Sequence, residues 1–322
     1  MRLTRFMKVF WPTGNVLLVR IVFAKALSKG ICLSSNSVTI ITVCHNSLAV
    51  ISDMLKSVPT GVPIVLVDNA SSDPDALQAV ADTHEAMLLR NEVNRGFGSA
   101  CNQGAARAET EFLLFLNPDA ELQPGAIGAF LEAVETHPTA SAFNPMIVNG
   151  DGQRSFRRGS KIRPKERLKG PIPERDTELS VLVGSAIFCR RALFEIIGGF
   201  DPEIFLYHED DDLSLRLRDH GPLFYCHAAR VLHLSGHGSP RSPQVAAFKA
   251  YYSARSRVYV QGKYGHPRPK LSTLGAAILR VIGPDTLLSK RRRAKNLGYL
   301  RGALSALKDR GRHALLPTNK DS

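Results

Sequence analysis

Residues 205–216 read FLYHEDDDLSLR. Four consecutive acids, Glu209 to Asp212, follow the aromatics Phe205 and Tyr207 and open an apolar stripe of Leu213, Leu215 and Leu217. Carboxylates crowded beside apolar residues repel one another. A chain that keeps them supplies cations to offset the repulsion, or uses the raised pKa of one of them for proton transfer. Asp212 and Arg216 stand four apart and can pair on one helical face. Glu209 and Asp210 are expected to lie before that helix, where one of them can act as general base toward a hydroxyl. A second acid, Asp119, ends the apolar run FLLFLNPD at 112–119. A carboxylate there suits Mg²⁺ or Mn²⁺, which take one or two protein carboxylates and fill their shell with substrate phosphates. Asn-Pro-Asp is equally good turn chemistry. Together the two acidic sites suggest a pocket that holds a metal–diphosphate and deprotonates a nucleophile.

Three further segments could complete such a pocket. Asp68 ends an apolar run in VDNASSD and could accept a base N–H or a ribose hydroxyl; a helix-capping turn is the alternative. Asn94 to Gly104, NRGFGSACNQG, is glycine-rich before a helix, and backbone amides at such a start suit phosphates. It fails the dinucleotide GxGxxG pattern because Cys101 stands at the third glycine, and no GxxxxGK[ST] occurs. His233 in HLSGHGS could join a metal shell or be a hydrogen-bonded structural residue, and His237 is expected to be exposed.

The elements that must position these groups follow from the pattern of apolar runs. SVTIITVCHN (37–46), IVLVDN (64–69), MLLRN (87–91) and EFLLFLNPD (111–119) read as strands, separated by helical segments at 48–57, 73–84, 96–108 and 124–137. This alternation predicts a mostly parallel sheet with helices on both faces. Beyond Ser141 the pattern changes. A strand at 143–148 precedes a loop at 154–175 with nine Lys or Arg, which is expected to be mobile. Residues 180–200 give a strand leading into a helix, LFYCHAARVLHLSG gives a strand pair, and 244–265 has helical periodicity. Two amphipathic helices are expected at 271–282 and 294–308.

The chain has 322 residues, 44% of them hydrophobic, and a net charge of +13, which is unevenly spread. Residues 1–37 carry six cations and no acid, 38–265 carry 23 cations against 26 acids, and 266–322 carry 13 against three. Basic ends on a near-neutral body suit an anionic surface, lipid or nucleic acid. Residues 1–36 read as a basic extension, 37–265 as the catalytic domain and 266–322 as a basic helical tail. The apolar stretches near the start and at 274–288 are interrupted by charge and too short to span a bilayer. Five cysteines without CxxC spacing fit buried small hydrophobes in a reducing compartment.

The ordered segments SVTIITVCHN, VDNASSD, NRGFGSACNQG, LNPDAEL, GSAIFCRRALFEIIGGFD and FLYHEDDDLSLR resemble the family-2 glycosyltransferases over residues 37–265, and within them the bacterial rhamnosyltransferase-like branch. The resemblance implies a GT-A fold (Rossmann-like) with a basic helical C-terminal extension, a nucleotide-diphosphate sugar donor, a divalent cation and inversion at the anomeric carbon. It implies that Asp68 binds the nucleobase with Thr42 and His45 nearby, and that Asn69, Arg95, Gly96 and Asn117 line the donor site. Asp119 matches the last acid of the family's metal motif, where Asn117 replaces the first, and His233 resembles a histidine that joins the metal. Asp210 resembles the catalytic base and Glu209 its neighbour. The implied partners are dTDP-rhamnose or a UDP-hexose, a glycan or polyprenyl-diphosphate-linked acceptor, and the anionic inner face of the plasma membrane, reached from the cytoplasm. The single tryptophan, Trp11, argues against a processive synthase. A nucleic-acid-binding protein is disfavoured because the cations lie outside the core without interleaved aromatics. A nucleotidyltransferase is disfavoured by CHNSLAV after the first strand, and an inactive binding module by the presence of both Asp119 and Asp210.

Overall fold

The computed structural model describes residues 34–234, 242–284, 286 and 289–308. Residues 1–33, His237 and the chain beyond 308 lie outside them, and with them the expectations for the basic start and for His237. The described residues belong to one unit that begins at Ser34.

VTIITVC has no polar face to leave in water, and β1 (Val38–Cys44) is buried along its whole length. The same holds for β2 (Ile64–Asn69) and β4 (Phe112–Leu116). β1 pairs in parallel with both, and β2 pairs in parallel with β3 (Met87–Asn91). Between them run α1 (Leu48–Lys56), α2 (Pro74–Thr83) and α3 (Phe97–Ala105). Asp73 caps α2 by accepting from the Ala76 N–H at 3.1 Å. β5 (Ala120–Leu122) and α4 (Ala126–Thr136) follow β4.

The second half of the ten-stranded sheet is largely antiparallel, which the alternation of elements does not reveal. Its strands are β6 (Ala142–Asn149), β7 (Arg154–Ser155), β8 (Thr177–Leu179), β9 (Ala186–Arg190) and β10 (Leu223–His233). The main order is β3-β2-β1-β4-β9-β6-β10-β5, with β7 beside β6 and β8 beside β10. Helices cover both faces. α3, α5 (Arg191–Ile196) and α6 (Glu209–Arg218) bury Ala100, Cys101, Leu193, Phe194, Leu213 and Leu217 with Ile41, Val67 and Phe115. On the other face Phe130 of α4 stacks on Phe188 at 4.7 Å, and Phe188 stacks on Phe112 at 5.1 Å. Cys44, Cys101, Cys189 and Cys226 are free and buried, as small hydrophobes would be.

Two expectations are corrected. LFYCHAARVLH is one bent strand, not a pair: β10 stays parallel to β6 on both sides of a register shift between Cys226 and Arg230. HAAR contains no Gly, Pro, Asn or Asp to reverse the chain, so it bulges. The bulge N–H of His227 donates to Asp176 at 2.8 Å. Nor is the basic loop 154–175 free of the body. Ile162 is buried with Ile204 and Val260, and Arg157 reaches into the acidic cluster described below. A few apolar anchors among nine cations suffice to dock it.

Three helices follow β10: α7 (Pro243–Lys263), α8 (Pro269–Ile282) and α9 (Lys290–Lys308). α9 starts four residues earlier than expected, so the cations 290–293 form its first turn. It lies on α7 through Gly298 and Gly302, where a Cβ would press into the backbone at Ala247 and Tyr251. Such close approach needs glycine. Gly302→Val should therefore lower stability by about 1–3 kcal/mol through overpacking. Urea unfolding would check this, and an unchanged midpoint would contradict the packing.

Candidate active site

The C-terminal ends of β1, β2 and β4 converge, as expected for ligand sites in parallel α/β sheets. The Thr42 hydroxyl donates to the Leu116 carbonyl, tying β1 to the end of β4. His45 Nδ1 lies 2.9 Å from the Asn69 carbonyl. Asn46, with φ +57°, clasps the next loop: its Oδ1 accepts from the Ser72 N–H at 2.8 Å. Asp68 sits under this clasp, buried, with Oδ1 accepting from the Ser71 N–H at 2.9 Å. Its Oδ2 has no hydrogen bond among the described residues, and Arg90 Nε stands 3.8 Å away. Asn69 is buried and acts inside the fold. It accepts from the Arg95 N–H at 2.9 Å and donates to Asn94 Oδ1 at 2.9 Å, fixing the turn into α3. Arg95 is exposed beside it.

Gly96 links this turn to the acidic segment. It has φ +84°, and a Cβ there would enter the Phe205 backbone. The Phe97 N–H donates to the Phe205 carbonyl at 3.0 Å. From Phe205 the chain passes through Tyr207 and His208, both left-handed at φ +66° and +70°. Two adjacent non-glycine residues in that region are strained and persist only where surrounding contacts over-determine them. Here the contacts come from α7: Tyr252 packs on Phe205 at 4.1 Å and Ser256 Oγ donates to the Leu206 carbonyl at 2.9 Å.

Glu209 and Asp210 were expected before the helix, but α6 begins at Glu209, so all four acids occupy its first turn. The helix N-terminus favours negative charge there, which is a reason for the earlier start. The four carboxylates have different partners. Asp212 is fully buried and pairs with Arg216 at 2.7 Å, as the spacing predicts, and also with Lys263 at 2.6 Å and the Tyr264 hydroxyl at 2.9 Å. Arg157 forks across the next two, with Nη1 2.6 Å from Asp210 and Nη2 2.7 Å from Asp211. Asp210 also accepts from the Gly184 N–H at 3.2 Å. Of these three aspartates only Asp210 keeps an opening: its side chain is 19% exposed, against 2% for Asp211 and 0% for Asp212.

Their proton affinities diverge accordingly. Burial and the adjacent Asp210 charge push the Glu209 carboxyl up to about 8. Burial also raises Asp210, against the opposing pull of Arg157. Burial would raise Asp211, but the His208 hydrogen bond and the Arg157 charge override it and hold the group at about 2. At neutral pH Glu209 is thus mostly a neutral acid close to the ionised Asp211.

Asp119 lies at the far side of a short connecting turn. The Asn117 N–H donates to the Ser185 carbonyl at 2.9 Å, and Gly184 is the residue that meets Asp210. Asn144, buried in β6, fixes that turn by accepting from the Val183 N–H at 2.6 Å. β10 aligns His233 opposite Ala120 of β5, which sets His233 Nε2 3.3 Å from Asp119 Oδ1. A hard carboxylate oxygen and an imidazole nitrogen on a buried wall fit Mg²⁺ or Mn²⁺. Among the described residues no cluster of three acids, histidines or cysteines forms, so such a cation would take its remaining ligands from substrate or water.

Two participants were not singled out from the sequence. Arg157 was submerged in a run of cations. Lys249 on α7 is half-buried, which lowers its pKa, while the nearby Asp119 charge opposes that effect. A lone lysine in the otherwise uncharged stretch 243–254 was the available signal.

The family model for glycosyl transferase family 2 matches residues 39–198. The chain is similar to the N-acetylglucosaminyl-diphospho-decaprenol L-rhamnosyltransferase of Mycobacterium tuberculosis, 31% identical over 213 residues that cover 56% of this chain and 69% of the relative. It is 26% identical to rhamnosyltransferase WbbL of Escherichia coli K12, over 60% of this chain and 88% of that one. In fold it resembles S. aureus TarS 1–349 in complex with UDP, with a TM-score of 0.52 and 16% identity over 84% of this chain and 91% of TarS. It also resembles GalNAc-T7 with UDP, GalNAc and Mn²⁺, with a TM-score of 0.51 and 18% identity over 80% of this chain and 55% of that one. The chain belongs to glycosyltransferase family 2, a glycosyltransferase of the GT-A fold.

Proposed function

We propose that this glycosyltransferase moves rhamnose from a dTDP-linked donor, with UDP-hexoses as the next candidates, to a hydroxyl of a lipid-linked or polysaccharide acceptor, inverting the anomeric carbon. Two relatives whose names specify rhamnosyl transfer support the sugar, and one of them names a diphospho-decaprenol acceptor. The observation that carries the mechanism is the short link between the two acidic sites. Gly184 binds Asp210 and Ser185 binds Asn117, so base and donor wall share one turn.

In this reading Asp210 takes the proton of the acceptor hydroxyl while that oxygen bonds to the anomeric carbon and the bond to the donor diphosphate breaks. Nucleoside diphosphate leaves and the proton rests on Asp210. Glu209, mostly neutral at pH 7, does not compete as the ionised base. Asp119 and His233 would hold the divalent cation, which supplies charge stabilisation for the departing diphosphate. Lys249, whose charge is felt at Asp119, supports the same end. Thr42, His45, Asp68, Asn69, Arg95, Gly96 and Asn117 form or brace the nucleotide wall.

The enzyme would work from the cytoplasm at the inner face of the plasma membrane. No described helix is long and apolar enough to cross a bilayer. α8 instead exposes Leu271, Ile278, Leu279 and Ile282 along one face, opposite the buried Thr273 and Ala277. α9 exposes Leu297, Leu304 and Leu307 in a similar stripe. Residues 290–293 are Lys-Arg-Arg-Arg, and the described residues from 266 onward contain no acid. Apolar stripes beside a run of cations fit the interface of an anionic bilayer.

Asp210→Asn should lower turnover by about 10²–10⁴-fold, the usual share of a positioned base, while dTDP-rhamnose binding measured by calorimetry with Mn²⁺ stays intact. Near-normal turnover would remove the base assignment. Arg157→Ala should move the acid limb of the kcat profile to higher pH. Asp210 acts ionised, and loss of the neighbouring cation raises its pKa further. A limb at unchanged pH would mean that another group carries the profile. Replacing 290–293 with glutamine should weaken sedimentation with phosphatidylglycerol vesicles by roughly 10²–10³-fold at low salt, at about 1 kcal/mol per cation. Sedimentation that ignores vesicle charge would rule out the membrane reading.

A further inference from the structure

The basic loop does more than neutralise the acidic cluster. Arg157 turns to Asp210 and Asp211, and the next residue, Arg158, lines a separate open depression of the surface with Pro164, Lys165, Arg167, Leu168 and Lys169. Four of its walls are cationic and none is acidic. The one acid within that run, Glu166, is engaged by Arg218 on α6. Arg158 Nη1 is shielded from solvent and has no hydrogen-bond partner among the described residues.

The depression is braced rather than a passing gap in a loop. The Leu168 N–H donates to the Arg158 carbonyl at 2.8 Å, and the two runs lie so close that a Cβ on Gly159 would stand 3.0 Å from the Arg167 Cα. Between them Ile162 is buried against Ile204 and Val260, and its carbonyl lies 2.7 Å from His266 Nε2. Lys165, Arg167 and Lys169 are exposed and Arg158 is half-buried, so the four cations are open to an anion from solvent. A single carboxylate would leave most of the charge unmatched, whereas a diphosphate offers several oxygens and more than one charge to arginine forks.

We propose that this depression binds the diphosphate of the acceptor, a class in which the sugar to be extended is joined directly to a diphosphate-linked lipid. This rests on the transferase reading above. One residue step, about 3.8 Å of backbone, separates the arginine on the base from the arginine in the depression. In this proposal an acceptor gripped by its diphosphate presents its first sugar toward Asp210, which Arg157 of the same loop contacts. The donor's own diphosphate has a different place, because none of the residues assigned to the donor wall lines this hollow.

The test uses the full chain and inorganic pyrophosphate with EDTA present, so that no divalent cation recruits the probe to Asp119. Calorimetry should detect binding that the triple variant Arg158→Gln, Arg167→Gln, Lys169→Gln weakens about tenfold or more, given the strength of charge-assisted hydrogen bonds. In turnover assays the same variant should raise KM for a lipid-diphosphate-linked sugar by a similar factor and leave KM for the nucleotide sugar unchanged. If the triple variant unfolds at lower temperature, the exposed single change Lys169→Gln gives the same readout at smaller size. No pyrophosphate binding, or binding indifferent to these cations, overturns the proposal. A rise in donor KM instead of acceptor KM overturns the acceptor assignment. Pyrophosphate binding through these cations without any nucleotide-sugar binding keeps the anion site and rejects the transferase reading, so the two failures are distinguishable.

Discussion

The structure is organised around the cost of burying four consecutive carboxylates. Each unpaired buried charge would cost several kcal/mol, and the four are met in three ways. Glu209 takes up a proton. Asp211 and Asp210 share Arg157 from a distant loop, and Asp212 draws Arg216 from its own helix and Lys263 and Tyr264 from around the end of α7. The basic loop and the first of the C-terminal helices are therefore held to the sheet domain partly by the charge problem of one helical turn. Asp210 is the exception that keeps an opening, which is what a reactive carboxylate requires.

The same demand explains the strained approach to that turn. Tyr207 and His208 sit in left-handed conformations that cost of order 1–3 kcal/mol each, and the cost is met by contacts on either side. Gly96 and Phe97 grip the Phe205 backbone from the start of α3, and Tyr252 and Ser256 of α7 hold the Phe205 ring and the Leu206 carbonyl from the other side. Loop, strand end and helix are consequently coupled. A change in the seating of α7, such as one imposed by a surface bound to α8 and α9, would reach the carboxylates through Phe205 and Lys263.

Much of the frame was legible because its signals are local. The runs VTIITVC, IVLVDN and FLLFL can only be buried strands, and the Asp212–Arg216 pair follows from helical spacing alone. The antiparallel half was not legible, because β5, β7 and β8 are two or three residues long and owe their existence to β10 and β6. Nor could spacing show that β10 carries His233 across to Asp119, a pairing set by register over more than a hundred residues. Arg157 was hidden for another reason: nine cations in one 22-residue loop look alike until burial sorts them. The acids could be recognised as a site, yet which of them stays accessible depends on neighbours from three separate segments.

The partition between Arg157 and burial also bears on how Asp210 would work as the proposed base. A carboxylate that is merely ion-paired is a weak base, since the cation lowers its affinity for a proton. One that is merely buried would hold its proton at pH 7 and be unable to accept another. Asp210 has both influences at once, with burial the larger, and its pKa lies above the ordinary carboxylate value. The neutral Glu209 beside it spares it one like charge, whereas the ionised Asp211 imposes one that raises its pKa. The proton affinity of Asp210 is thus set by its neighbours, with burial and Asp211 raising it and Arg157 and His208 lowering it.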